Sequence, residues 1–161
     1  MKSKRVYLAV CGGNTANEAE ARLAEAAGAA IARRGSLLVC GGLGGVMEAA
    51  CRGAKAAGGT VLGIVPGEFR SEANGFVDIS VATNMGHARN AIIVHTADGM
   101  LAVGGESGTL SELALALKLR KPVVILKGWE HLREMNPAPH FENSPEAAVD
   151  WLMSQLMVSP G

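Results

Sequence analysis

Cys40-Gly41-Gly42-Leu43-Gly44-Gly45-Val46-Met47-Glu48 carries the chain from an apolar run into a helical pattern through a cluster of glycines. Val103-Gly104-Gly105-Glu106-Ser107-Gly108-Thr109-Leu110-Ser111-Glu112 repeats the passage. At such a strand-to-helix junction, unpaired backbone N–H groups and the positive end of the helix dipole converge on one spot, and glycine lets a phosphate come close to the backbone. Both junctions belong at the carboxyl edge of a parallel sheet, where open α/β folds bind their ligands. The expectation is a site for a phosphate-bearing small molecule, with Gly41, Gly42, Leu43, Gly44, Gly45, Val46 and Met47 on one side. Gly104, Gly105, Ser107, Gly108 and Thr109 form the other. A third turn, Gly12-Gly13-Asn14-Thr15, either adds contacts to the ring or base of the ligand or simply starts a helix.

Outward from these turns, short apolar runs recur at residues 6–11, 37–40, 61–65, 77–81, 100–103 and 123–126. Their near-continuous hydrophobicity predicts strands covered on both faces, hence a mostly parallel sheet between helical layers. That is a three-layer Rossmann-like α/β fold, formed as one domain over residues 1–161. Helical patterns fill the gaps at about 17–33, 46–57, 87–96 and 109–119. In the first, Leu23, Ala27, Ala30 and Ile31 share a face until Gly35. In the second, Met47, Ala50, Ala54 and Ala57 do so until Gly58-Gly59. The third and fourth are apolar beyond one face, through Ile92, Ile93 and Val94 and through Leu110, Leu113, Leu115, Leu117 and Leu119. Either they are deeply buried or, the favoured reading, they build the interface of a homodimer or homotetramer. Segment 136–145 reads as a loop, and a last helix starts with Ser144 as N-cap and Pro145 at its first position.

Composition narrows the function classes. Hydrophobic residues at 48% and charged residues at 19% suit a globular core. Fifteen basic residues balance fifteen acidic ones, so no overall field draws a nucleic-acid backbone or an anionic membrane. Cys11, Cys40 and Cys51 are an odd count without a CxxC pair, which argues against a disulfide framework and for a reducing, cytoplasmic setting. Cys11 and Cys40 read as small apolar packing residues. The basic start, residues 1–5, precedes an apolar run too short for a signal-peptide core, and no stretch reaches the length of a membrane span. His87, His95, His131 and His140 show no ligand spacing, so no metal is expected. Trp129 and Trp151 lie away from the glycine turns and read as core or interface residues.

Absences narrow the ligand. Cys11-Gly12-Gly13-Asn14-Thr15 lacks the GxGxxG spacing, and the second strand ends in Cys40-Gly41 instead of an acidic residue for a ribose hydroxyl, so neither NAD nor FAD is expected. Neither turn carries the Gly-Lys-Ser/Thr of a P-loop, so ATP is not expected as a catalytic cofactor either. Monophosphates and other phosphorylated small molecules remain.

With these residues in view, the chain resembles the Lonely Guy superfamily, also labelled possible lysine decarboxylase. Within it, the likeness is to the branch that includes molybdenum cofactor carrier proteins, and it covers nearly the whole chain. The family's Pro-Gly-Gly-x-Gly-Thr-x-x-Glu motif is matched by residues 104–112, with one extra residue and Val103 in place of proline. Its arginine motif looks like Met85-Gly86-His87-Ala88-Arg89-Asn90, and its first phosphate turn like residues 41–47. In cytokinin-activating members an arginine and a glutamate support cleavage of a nucleotide's N-glycosidic bond, releasing base and ribose 5-phosphate. Carried over, these are Arg89 and Glu112. A carboxylate can stabilise oxocarbenium-like charge or position water, and a guanidinium can orient a phosphate or that carboxylate. Asn90 stands where the enzymes typically have lysine, and Arg89-Asn90 with Gly45-Val46-Met47-Glu48-Ala49 looks more like the carrier branch. The resemblance therefore implies molybdenum cofactor, a pterin bearing a phosphate, as cargo on the same turns, with Asn90 among its contacts.

Plainer readings compete at each position. Thr109-x-x-Glu112 fits a capping box, in which Glu112 reaches back to the Thr109 N–H. Arg89 fits a solvated charge or a partner for a carboxylate, and Glu48 complements a helix dipole. Three functions follow: a molybdenum cofactor carrier, a nucleoside 5′-monophosphate hydrolase working through Arg89 and Glu112, and a nucleotide-binding sensor module. Whether any reaction is catalysed is left open by the residues alone.

Overall fold

The computed structural model describes residues 4–158, so the first three residues of the basic start lie outside it. Seven strands form one sheet: β1 (Tyr7–Gly12), β2 (Leu37–Cys40), β3 (Val61–Val65), β4 (Ile79–Ala82), β5 (Gly99–Val103), β6 (Val123–Lys127) and β7 (His140–Phe141). Every neighbouring pair is parallel, in the order β4-β3-β2-β1-β5-β6-β7. Five helices cover it: α1 (Glu18–Arg33), α2 (Gly45–Ala56), α3 (Arg89–Thr96), α4 (Ser107–Lys118) and α5 (Pro145–Val158). The expected three-layer Rossmann-like fold is the one found.

Alternation along the strands divides the core. Leu8, Val10, Leu38, Leu101 and Val103 face α1, α2 and α5. Ala9, Cys11, Val39, Met100, Ala102 and Ile125 face the thinner layer of α3 and α4. The chain winds outward from β1 in both directions, to β2 on one side and β5 on the other. That reversal opens a crevice beyond the carboxyl ends of β1 and β5, and the glycine turns sit there.

Three expectations about elements are corrected. The strand expected at 77–81 is Ile79–Ala82, because the Asp78 carboxylate takes the Val61 N–H (2.8 Å) and the ladder begins after it. The segment 136–145, expected to be all loop, contains β7, whose two residues pair with Val124 and Ile125. Two residues are too few to show a period. The third helix is shorter than 87–96, since Gly86–Ala88 forms a 3-10 turn before Arg89.

Helix α1 starts with a capping box. Asn17 Oδ1 accepts from the Glu20 N–H (2.9 Å), and Glu20 returns the bond to the Asn17 N–H (3.1 Å). The contact of α1 with α2 depends on two glycines. A Cβ on Gly28 would lie 1.9 Å from the Ala50 carbonyl oxygen, and one on Gly53 would lie 1.9 Å from that of Glu25. Backbone carbonyls cannot step aside as a flexible side chain can. Gly28→Ala and Gly53→Ala are each expected to destabilise the fold by about 1–3 kcal/mol. Thermal unfolding checks this, and an unchanged melting temperature in either variant would contradict the packing.

Candidate functional site

The crevice is a cleft of about 910 Å³. The end of β1 and its turn form the floor, through Cys11, Gly12, Gly13 and Asn14. One wall comes from the turn after β2, through Gly41, Leu43 and Met47. The opposite wall is the turn after β5 and the start of α4, through Gly105, Ser107, Gly108, Thr109 and Glu112, with Arg89 and Asn90 between the walls. Gly42, Gly44, Gly45, Val46 and Gly104 stand behind this surface and do not line it.

The two glycine turns, alike in sequence, differ in what their N–H groups do. In the first, the Gly42 N–H donates to Cys40 Sγ (3.3 Å), the Gly44 N–H to Asn14 Oδ1 (2.9 Å) and the Val46 N–H to the Gly13 carbonyl (3.0 Å). The first turn is thus braced against the third, so closely that a Cβ on Gly45 would meet the Gly13 oxygen at 2.3 Å. The N–H groups of Gly42, Gly44 and Val46, three of the residues expected at the ligand, are engaged within the protein. In the second turn, the Gly104 N–H pairs with the Lys127 carbonyl (2.9 Å). After it, the N–H groups of residues 105–109 have no acceptor among the described residues. They form the free N-terminus of α4, where the helix dipole adds positive potential.

Glu112 is no capping residue. The N-cap of α4 is Glu106, which places Thr109 inside the first turn, and no side chain caps the helix. Glu112 is 8% exposed, and no described residue donates a hydrogen bond to its carboxylate. Burial raises its pKa to about 7, against the opposing pull of the Arg89 charge. Arg89 is no solvated charge. Its Nη1 donates to the carbonyls of Gly41 and Ile64, both at 2.6 Å, and its Nε donates to Asn90 Oδ1 (3.0 Å). Burial lowers its pKa while the Glu112 charge raises it. Asn90 Nδ2 continues the chain to Ser111 Oγ (3.2 Å) and the Gly108 carbonyl (3.4 Å), joining the starts of α3 and α4.

Sequence reasoning missed the loop after β3. Pro66, Gly67 and Glu72 close a further side of the cleft, and Glu72 accepts from the Phe69 N–H (3.0 Å). The Pro66-Gly67 pair directly after an apolar run was the available signal, the same one that marked the other turns. His87, Glu20 and Glu106 also line the cleft. Trp129, expected to lie away from the motifs, donates its indole N–H to the Gly104 carbonyl (2.7 Å). The thiols are buried: burial and the Glu112 charge push Cys11 well up, and Cys40 and Cys51 touch at 3.4 Å. No group of three or more potential metal ligands gathers among the described residues.

The raised pKa of Glu112 makes a stability prediction. The folded state binds its proton more tightly than the unfolded state, so folding stability falls as pH rises from about 4.5 to about 7. The loss is on the order of 3 kcal/mol. Glu112→Gln removes this slope. Unfolding in denaturant should find the variant more stable than wild type at pH 8 and close to it at pH 4.5. A difference that is the same at both pH values would contradict the assignment.

The chain and its fold match known proteins over most of their length. A protein of Archaeoglobus fulgidus is 45% identical over 151 residues, covering 94% of this chain and 97% of its own. A cytokinin riboside 5′-monophosphate phosphoribohydrolase of Rhodococcoides fascians is 34% identical over 125 residues, 71% of this chain, which spans 63% of that relative's length. Among solved structures, the molybdenum cofactor binding protein of Rippkaea orientalis superposes with a TM-score of 0.91 at 36% identity, covering 96% of this chain and 99% of its own. The molybdenum cofactor carrier protein of Chlamydomonas reinhardtii does so with a TM-score of 0.86 at 33% identity, covering 97% and 100%. Residues 5–152 match the model of the SLOG cluster4 family, and the chain belongs to that family.

Proposed function

We propose that the protein is a carrier of molybdenum cofactor, holding its phosphate at the start of α4 without transforming it. The observation that carries this reading is the run of N–H groups over residues 105–109, free of protein acceptors and open to a cleft of about 910 Å³. Such a run suits a phosphate through backbone dipoles alone. Gly105, Ser107, Gly108 and Thr109 hold the phosphate, while Gly12, Gly13, Asn14, Gly41, Leu43 and Met47 face the remainder of the ligand. The likeness to the Rippkaea orientalis and Chlamydomonas reinhardtii proteins supports the choice of cargo.

The hydrolase reading has its own support in Glu112. A buried carboxyl with a pKa of about 7, near an arginine and in an open cleft, is equipped for acid–base work on a nucleoside 5′-monophosphate. The carrier reading is favoured because Nη1 and Nε of Arg89 are engaged by the protein and Asn90 closes the gap between α3 and α4. We place the protein in the cytoplasm as a homodimer or homotetramer built on α3 and α4. Leu110 and Leu115 are only half-buried, and Leu119 is 39% exposed. No helix of the described residues is long and apolar enough to cross a membrane.

Two measurements separate the readings. The purified protein is expected to retain molybdopterin and slow its oxidation, and absence of retention would count against the carrier. Incubation with nucleoside 5′-monophosphates is expected to release no base. Release that disappears in Glu112→Ala would establish the hydrolase instead. Sedimentation should report a dimer or tetramer, and a monomer would refute the interface.

A further inference from the structure

We infer that Trp129 is a positioning residue for the anion-binding turn, holding residues 105–109 in place through a hydrogen bond to Gly104. The inference rests on the reading of that turn as the phosphate site. Gly104 (φ +54°) and Gly105 (φ +105°) both occupy conformations that other residues avoid, so the turn is built from its two most pliable residues. Consecutive N–H groups without acceptors repel one another, and a pliable turn splays to hydrate them. Something outside the turn must hold it.

The loop after β6 supplies that hold. The Gly104 N–H donates to the Lys127 carbonyl (2.9 Å), and the Gly104 carbonyl accepts from Trp129 Nε1 (2.7 Å). The peptides on both sides of Gly104 are therefore pinned. The register of β5 against β6 slips between Ala102 and Val103, so Val103 pairs with Lys127. Gly128 follows directly, and a Cβ on it would stand 3.7 Å from Gly104 Cα. Trp129 itself adopts φ +62°, ψ 25°, a left-handed conformation that is strained for a bulky side chain. Strain of this kind persists where surrounding structure over-determines it, and it gathers near functional sites. Here the indole is packed against the core of the α3–α4 face while its N–H reaches Gly104.

Trp129 does not line the cleft, so it acts through the turn and not on the ligand. Its contribution is preorganisation: donors already convergent lose less freedom on binding than donors that must be gathered. Trp151, stacked on His140 with ring centroids 4.3 Å apart, has no such link and serves as the control.

The test compares wild type, Trp129→Phe and Trp151→Phe in calorimetric titrations with adenosine 5′-monophosphate or inorganic phosphate and in amide hydrogen exchange. Trp129→Phe is expected to weaken binding about tenfold, the effect of one lost hydrogen bond near its upper range. It should also speed exchange at Gly104 and Leu110, the hydrogen-bonded amides that flank residues 105–109, relative to the rest of the chain, while Trp151→Phe does neither. Equal affinity in Trp129→Phe and wild type would overturn the inference. If wild type binds neither adenosine 5′-monophosphate nor inorganic phosphate, the phosphate reading of the turn is what fails, and exchange alone decides the positioning role: unchanged exchange at Gly104 and Leu110 refutes it. Should Trp129→Phe not fold, benzothienylalanine at position 129 removes the N–H while keeping the bicyclic ring, and the same outcomes apply.

Discussion

A parallel sheet buried on both faces must satisfy its backbone polar groups through its own ladder, which leaves the strand ends and the helix starts as the places where donors remain over. In this protein the remainder is distributed unevenly. The start of α2 is bonded to the turn after β1, through Asn14 and Gly13, and becomes part of the scaffold. The start of α4 has no such partner and faces the cleft. The first glycine turn gives every second N–H group to the scaffold, through Gly42, Gly44 and Val46, whereas the second leaves five in succession without a protein acceptor. The end of β1 pairs with β5 through Gly12 and Val103, but the turn after it hydrogen-bonds only to the first glycine turn, through Asn14 and Gly13.

Arg89 and Glu112 belong to the same arrangement. The guanidinium ties the carbonyl ends of β2 and β3 to the beginning of α3, which fixes the wall opposite α4. It also supplies the positive charge against which Glu112 balances its burial. The two form no direct ion pair, so the carboxyl remains poised between its charged and neutral forms near neutral pH. A residue pair that chemistry can use, and that a carrier can retain as a charge pattern, need not differ in geometry. The distinction lies in whether a substrate is positioned against it.

Much of this was legible in the residues. Continuous apolar runs at 37–40 and 61–65 marked buried parallel strands, and the paired glycine turns marked the edge where the cleft opens. What the residues concealed was tertiary in origin. Glycine spacing does not distinguish a turn whose donors meet Asn14 from one whose donors stay free. The Thr109 and Glu112 spacing mimicked a capping box because the helix begins two residues before Thr109, a shift below the resolution of pattern reading. Trp129 is distant from Gly104 in sequence, and only the pairing of β5 with β6 brings them together. Glu72 and the loop after β3 were missed because their role depends on where β3 ends relative to β1.

The most direct measurement is a titration of isotope-labelled protein with adenosine 5′-monophosphate or inorganic phosphate, followed by the amide resonances of the two glycine turns. The free donors at the start of α4 predict large, saturable shifts for residues 105–109, with Gly42, Gly44 and Val46 nearly unmoved. Shifts concentrated on Gly42, Gly44 and Val46, with residues 105–109 unaffected, would contradict the assignment of the anion site to α4.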